Sequence, residues 1–148
     1  MLPLEGVKVL DISQMWAVPG AGMYLADQGA DVIKVEPPWG DSGRLTYTTA
    51  PIGDINRHFL VLNRNKRDVV VDISKEAGRE VIYKLVEKSD VLLQNYRPGV
   101  AERIGMGYET LQRLNPRLVY VAVTPYGNKG PYAGSRAYDL LVQSHSGI

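Results

Sequence analysis

Five short runs rich in β-branched and apolar residues, Val7 to Ile12, Asp31 to Glu36, Asp68 to Ile73, Asp90 to Asn95 and Leu118 to Val123, alternate with helical patterns. A strand that rejoins its sheet in the parallel sense needs a long crossover, which a helix supplies. The alternation therefore predicts an α/β fold, a Rossmann-like, mostly parallel sheet with helices on both faces. Ligands of such sheets sit beyond the C-terminal ends of the strands. The segments at those ends are Gln14 to Pro19, Pro37 to Asp41, Asn95 to Gly99 and Thr124 to Gly134.

Local signals place the helices. Pro19 suits a first helical turn that runs on through Leu25 and Ala26, and Gly29 suits its end. Pro37 and Pro38 stop the second strand, and the polar stretch from Trp39 to Asn56 reads as a functional loop. Ser74 is placed to cap a helix whose apolar residues Ala77, Val81, Ile82, Leu85 and Val86 recur at helical spacing. Arg97-Pro98-Gly99 turns the chain into a short helical segment, Tyr108 to Asn115 makes another, and Tyr138 to Gln143 makes a final helix.

At 148 residues, with 45% hydrophobic and 22% charged residues, one globular domain is expected. No run is apolar enough to span a membrane, and the N-terminus lacks a secretory pattern, so no membrane partner and a cytoplasmic location are expected. Zero cysteines exclude disulfides and a thiol nucleophile; His58 and His145 have no metal-ligand spacing, so no metal is expected. The chain reaches Ile148 without a signal that closes a domain, which reads as a truncated first domain, residues 1–148, with a second domain not present.

Charge is concentrated in Asn63-Arg64-Asn65-Lys66-Arg67, where three cations and two amides lead into the third strand while the net charge is only +1. Such a cluster suits a phosphorylated small molecule, because nucleic acid demands a broader basic face. The alternative is a solvated basic turn. Arg97 and Arg103 flank Gly99 after the fourth strand, where donors can meet a diphosphate. A dinucleotide fingerprint is incomplete: Gly20 and Gly22 follow Pro19 inside the helix, and Leu25 takes the third glycine position. No P-loop and no Gly-x-Ser-x-Gly elbow occurs, and Ser144-His145-Ser146 is no triad, so His145 reads as structural.

Motifs spread along the chain carry a family resemblance. They are Leu10-Asp11-Ile12-Ser13, Ala17-x-Pro19, Leu25-Ala26-Asp27-x-Gly29-Ala30-Asp31-Val32-Ile33-Lys34-Val35-Glu36, Asn63 to Arg67, Asn95-Tyr96-Arg97-Pro98-Gly99-Val100 and Gly127-x-x-Gly130-Pro131-Tyr132-Ala133. In that order they resemble the N-terminal part of the class III CoA transferases, the group containing formyl-CoA transferase, carnitine CoA-transferases and α-methylacyl-CoA racemase. The resemblance implies a coenzyme A-binding domain of a longer chain that interlocks as a homodimer. It implies a transferase of acyl-CoA metabolism that moves CoA from an acyl-CoA to a carboxylic acid through an aspartyl-CoA thioester. CoA is then a substrate, with no prosthetic group.

By position, the resemblance assigns CoA contacts to Trp16 and Ala17, to Val71, Asp72, Ile73 and Ser74, to Asn95, Tyr96 and Arg97, to Arg103, and to Arg136, Ala137, Tyr138 and Asp139. Lys66 and Arg67 are then expected to shape and charge the pocket, with Asp72 and its neighbours closer to the nucleotide. Two departures stand out: Trp16 replaces a glutamine of some members, and Pro37 an arginine often found there. The racemases carry a catalytic histidine where this chain has Tyr138, and a phenol with a pKa of about 10 is a poor general base at neutral pH. The transferase nucleophile is expected beyond Ile148, leaving no catalytic residue in this chain and an inactive fragment. A racemase or epimerase and a non-catalytic CoA-binding module are the alternatives.

Overall fold

The computed structural model describes residues 1–45, 52–53 and 55–148. Strands β1 (Lys8–Asp11), β2 (Asp31–Glu36), β3 (Arg67–Val70), β4 (Val91–Gln94) and β5 (Val119–Ala122) form one sheet in the order β3-β2-β1-β4-β5. Every pairing is parallel, as the strand and helix alternation requires. Helices α1 (Ala17–Asp27), α2 (Arg57–Asn63), α3 (Glu76–Val86), α4 (Val100–Arg103), α5 (Tyr108–Leu114) and α6 (Asp139–Ser146) occupy the connections and the C-terminus, with a 3₁₀ turn at Ser42–Arg44. Among the described residues no helix is long and apolar enough to cross a membrane. Residues 46–51 and 54, in the expected loop from Trp39 to Asn56, lie outside the described residues.

Strand alternation sends side chains to two cores. Leu10, Ile12, Val35 and Leu92 pack with Ile82 and Val86 of α3, Ala101 of α4 and Leu111 of α5. Val9, Val32 and Leu93 pack on the opposite face with Val18 and Ala26 of α1. The order also puts the switch point between β1 and β4, because β2 and β3 extend one side of β1 and β4 and β5 the other.

Two expectations are corrected. Ser74 does not cap α3: Lys75 is the N-cap residue, without a side-chain cap, and the Ser74 backbone and hydroxyl both donate to Asp72 Oδ1. Burying Ile82 and Val86, each 0% exposed, contributes about 1.5–3 kcal/mol apiece. That exceeds the roughly 1 kcal/mol of a cap, so α3 forms without one. Helix α2 is not anticipated at all. Its apolar run Phe59-Leu60-Val61-Leu62 has no helical period, and the one start signal is Asn56, whose Oδ1 accepts from the His58 N–H at 2.8 Å.

Candidate functional site

On the α1 face, β1 and β2 begin apolar with Val9 and Val32 and end charged with Asp11, Lys34 and Glu36. Asp11 lies opposite Lys34 in register, and Lys34 opposite Asp68. Three of these four, Asp11, Lys34 and Glu36, are buried, and each is paired. Lys34 Nζ pairs with Asp41 at 2.7 Å and donates to the Ser13 carbonyl. Glu36 accepts a two-pronged bond from Arg44 at 2.7 and 2.6 Å and another from the Asp41 N–H at 2.7 Å. The Arg44 guanidinium also sits 3.8 Å from the centre of the Phe59 ring, which seats α2 over the turn. Burial alone pushes the Glu36 carboxyl up, but Arg44 and the Asp41 N–H outweigh it and hold it below the usual range. Asp68, beside Glu36, is pushed up to about 6 by burial and then by that neighbouring carboxylate.

The basic cluster is absorbed by the same framework. Lys66 Nζ donates to Asp11 at 2.8 Å, to the Pro19 carbonyl at 2.8 Å and to Asn63 Oδ1 at 2.9 Å, using all three of its donors. Its side chain is 1% exposed, and desolvation holds its pKa below the usual lysine value. Gly22 makes room for this pair, since a Cβ there would stand 2.9 Å from Asp11 Oδ2 and 3.2 Å from Lys66 Nζ. Arg64 and Asn65 engage Asp27 of α1, and Arg67 engages Asp31 of β2. The expected polyanion site at Asn63–Arg67 is thus corrected to a set of internal ties between the α2–β3 turn and the β1–β2 unit. It is equally not a merely solvated turn.

Across the switch point, Asn95 stitches the β4 end to the β1 end. Its Oδ1 accepts from the Gln14 N–H at 2.9 Å and its Nδ2 donates to the Gln14 carbonyl at 2.7 Å. Next to it lies a cleft of about 390 Å³, with Gln94, Tyr96, Arg97, Tyr108, Tyr120 and Thr124 in its wall. Gln94 Oε1 accepts from the Tyr96 N–H at 2.6 Å, and the Tyr120 hydroxyl donates to the Met106 carbonyl at 2.9 Å. Tyr108 meets Tyr120 edge to face at 5.8 Å. Burial, then the charge of Asp11, pushes the Tyr96 phenol up to about 12, so it stays a neutral ring. Gly99, at φ 81°, starts α4 in a conformation that costs glycine nothing. Arg97 and Arg103 then stand exposed at either end of this α4 turn, without an ion-pair or hydrogen-bond partner among the described residues.

Of the other expected positions, those that follow β3 share this face. Val71 and Ile73 pack in the same core as Ala101 and Tyr96, which puts the β3–α3 and β4–α4 segments on one face. Asp72 is turned inward on Ser74 and Lys75, and the Ser74 hydroxyl holds its carboxyl below the usual range. Trp16, 43% exposed, and Ala17 open α1 on the opposite face, with the indole stacked 4.7 Å from the His58 ring. Arg136, Ala137, Tyr138 and Asp139 stand apart. Asp139 accepts from Gln143 within α6 at 2.6 Å, and Tyr138 is 74% exposed. His145 holds α6 through a 2.8 Å hydrogen bond to Tyr126.

The residues missed by sequence reasoning are Lys34, Glu36, Asp41 and Arg44, which with Asp11 form a largely buried floor of charges beneath the β1–α1 turn. A signal existed: charges at alternate positions of a strand with apolar neighbours place those charges on one buried face.

Known proteins resemble this chain along nearly its whole length. A match to the family described as CoA-transferase family III spans residues 4–148. An acetyl-CoA:oxalate CoA-transferase of Acetobacter aceti is 39% identical over 99% of this chain and 37% of its own length. A human succinyl-CoA:glutarate CoA-transferase is 38% identical over 99% of this chain and 33% of its own. The crystal structure of a CaiB/BaiF family protein from Brucella suis superposes with a TM-score of 0.93 at 38% identity, covering 99% of this chain and 40% of that one. The chain thus spans between a third and two fifths of the length of these relatives. With an all-parallel sheet in the order found and a family match across nearly every residue, the chain belongs to CoA-transferase family III.

Proposed function

We propose that these residues form the CoA-binding part of a transferase that moves CoA from an acyl-CoA to a carboxylic acid. The observation that carries this reading is the contrast in cations. Those of the basic cluster are paired within the protein, whereas Arg97, in the wall of an aromatic cleft at the β4 and β5 ends, and Arg103, at the far end of α4, have no partner among the described residues. Guanidinium forks suit a diphosphate, and ring faces suit a base. The activity of family members named for CoA transfer between acids supports the same ligand.

In this reading the nucleophile is an aspartate beyond Ile148. Its carboxylate attacks the thioester carbonyl and expels the CoA thiolate, leaving a mixed anhydride. The thiolate attacks the aspartyl carbonyl and releases the donor acid, giving an aspartyl-CoA thioester. The acceptor carboxylate repeats the two displacements in reverse. The 148 residues hold CoA through these steps and supply no nucleophile. The whole enzyme is read as cytoplasmic and as a homodimer; apolar side chains left open on α6, where Leu140 is 77% exposed, support an association surface.

Titration calorimetry of the 148-residue chain with CoA and with 3′-dephospho-CoA tests the assignment. Binding of CoA is expected, with no CoA exchange between an acyl-CoA and a free acid. A folded chain that ignores CoA defeats the binding reading; exchange by the chain alone defeats the placement of the nucleophile.

A further inference from the structure

The turn between β1 and α1 spans Ile12 to Trp16. Its backbone is held by side chains from three neighbouring segments. Asp11 accepts from the Ser13 N–H at 3.0 Å, Asn95 takes both the N–H and the carbonyl of Gln14, and Lys34 donates to the Ser13 carbonyl. Asp41 Oδ1 accepts from the Met15 N–H at 2.9 Å and the Gly43 N–H at 2.7 Å. Lys34 and Asp41, 1% and 0% exposed, are paired at 2.7 Å, so one buried ion pair grips both ends of the Ser13-Gln14-Met15 stretch. Met15 sits at φ 70°, a conformation that a side chain adopts only when its surroundings impose it. Trp16 and Ala17 follow at once.

We infer that the buried Asp41 acceptor is a positioning clamp, which holds Met15 in the left-handed conformation and so fixes the Trp16–Ala17 edge at the C-terminal end of β1, where CoA crosses from one face of the sheet to the other. The inference rests on the CoA reading above. Two double variants of the 148-residue chain isolate the acceptor. Both Lys34→Met/Asp41→Asn and Lys34→Met/Asp41→Leu lose the buried charges, but only the asparagine can still accept from the Met15 N–H. The asparagine variant is expected to bind CoA within roughly threefold of the unaltered chain, and the leucine variant roughly tenfold more weakly. In a Trp39→Phe background, Trp16 fluorescence is expected to shift in the leucine variant alone.

A second arm leaves the core intact. Met15→Gly, free to adopt positive φ, is expected to keep CoA affinity, whereas Met15→Val, strained there, is expected to lose roughly tenfold. A role for the Met15 side chain itself predicts the reverse order. Equal affinities of the two double variants as folded proteins, or glycine weaker than valine, overturns the clamp. An unaltered chain that does not bind CoA overturns the parent reading before any variant is compared, and the clamp's purpose with it.

Discussion

The two sides of β1 treat charge in opposite ways. Toward β2 and β3, Asp11, Lys34, Glu36, Asp41, Arg44 and Lys66 are linked to one another, and the cations of the α2–β3 turn all have partners. Toward β4 and β5, Arg97 and Arg103 are exposed at the two ends of α4, Arg97 in the wall of a cleft lined by tyrosines. The comparison teaches that density of charge in a sequence does not locate a ligand. A buried cation must find its counter-charge within the protein, because isolated burial costs several kcal/mol, and it is then no longer free for a ligand.

The largest expected effect lies on the paired side. Lys66→Met strands the Asp11 carboxylate, 0% exposed, and should lower unfolding free energy by about 3–5 kcal/mol, read from urea denaturation. A loss under about 1 kcal/mol would mean that Asp11 finds water or a proton, and that the floor is less closed than its geometry. Next come Arg97→Ala and Arg103→Ala. Each should weaken CoA binding by about 1.5–3 kcal/mol in calorimetry while stability stays within about 0.5 kcal/mol. Unchanged affinity in both would erase the distinction between the two sides.

A smaller effect concerns pH. Asp68, pushed up to about 6, binds its proton more tightly in the folded chain than in the unfolded one. Its contribution to stability is therefore present below the unfolded value of about 3.9 and is lost as pH rises through about 6. Glu36 is shifted the other way, so a comparison with Asp68→Asn isolates the Asp68 contribution. The thermal midpoint of the variant, relative to the unaltered chain, should be higher at pH 7.5 than at pH 4.5 by about 1–3 °C. A relative midpoint that falls instead would show the 3.5 Å contact with Arg44 to dominate. The smallest effect is Arg67→Ala, since the Arg67–Asp31 pair is largely exposed: about 0–1 kcal/mol in stability and no change in CoA affinity. Weaker binding in that variant would return the basic cluster to the ligand.

Much of this was legible in the residues. The strand at Asp31–Glu36 has the predicted bounds, the sheet is parallel, Gly20 and Gly22 lie inside α1, and Arg97-Pro98-Gly99 does turn the chain into α4. What escaped depended on partners distant in sequence. Lys66 reads as a free cation because Asp11 is 55 positions away. The tie from Asn95 to the β1–α1 turn leaves no local trace because Gln14 is 81 positions away. Helix α2 lacks a periodic signal because it is seated by one ring, Phe59, under the Arg44 guanidinium.

By itself the sequence determined the class of fold and the order of its strands along the chain, because these follow from local periodicity, turn chemistry and the crossover that parallel strands require. Only the tertiary structure decided which charges remain available there. Pairing is a matter of distance in space, and a buried ion pair links residues whose separation along the chain carries no trace of their contact.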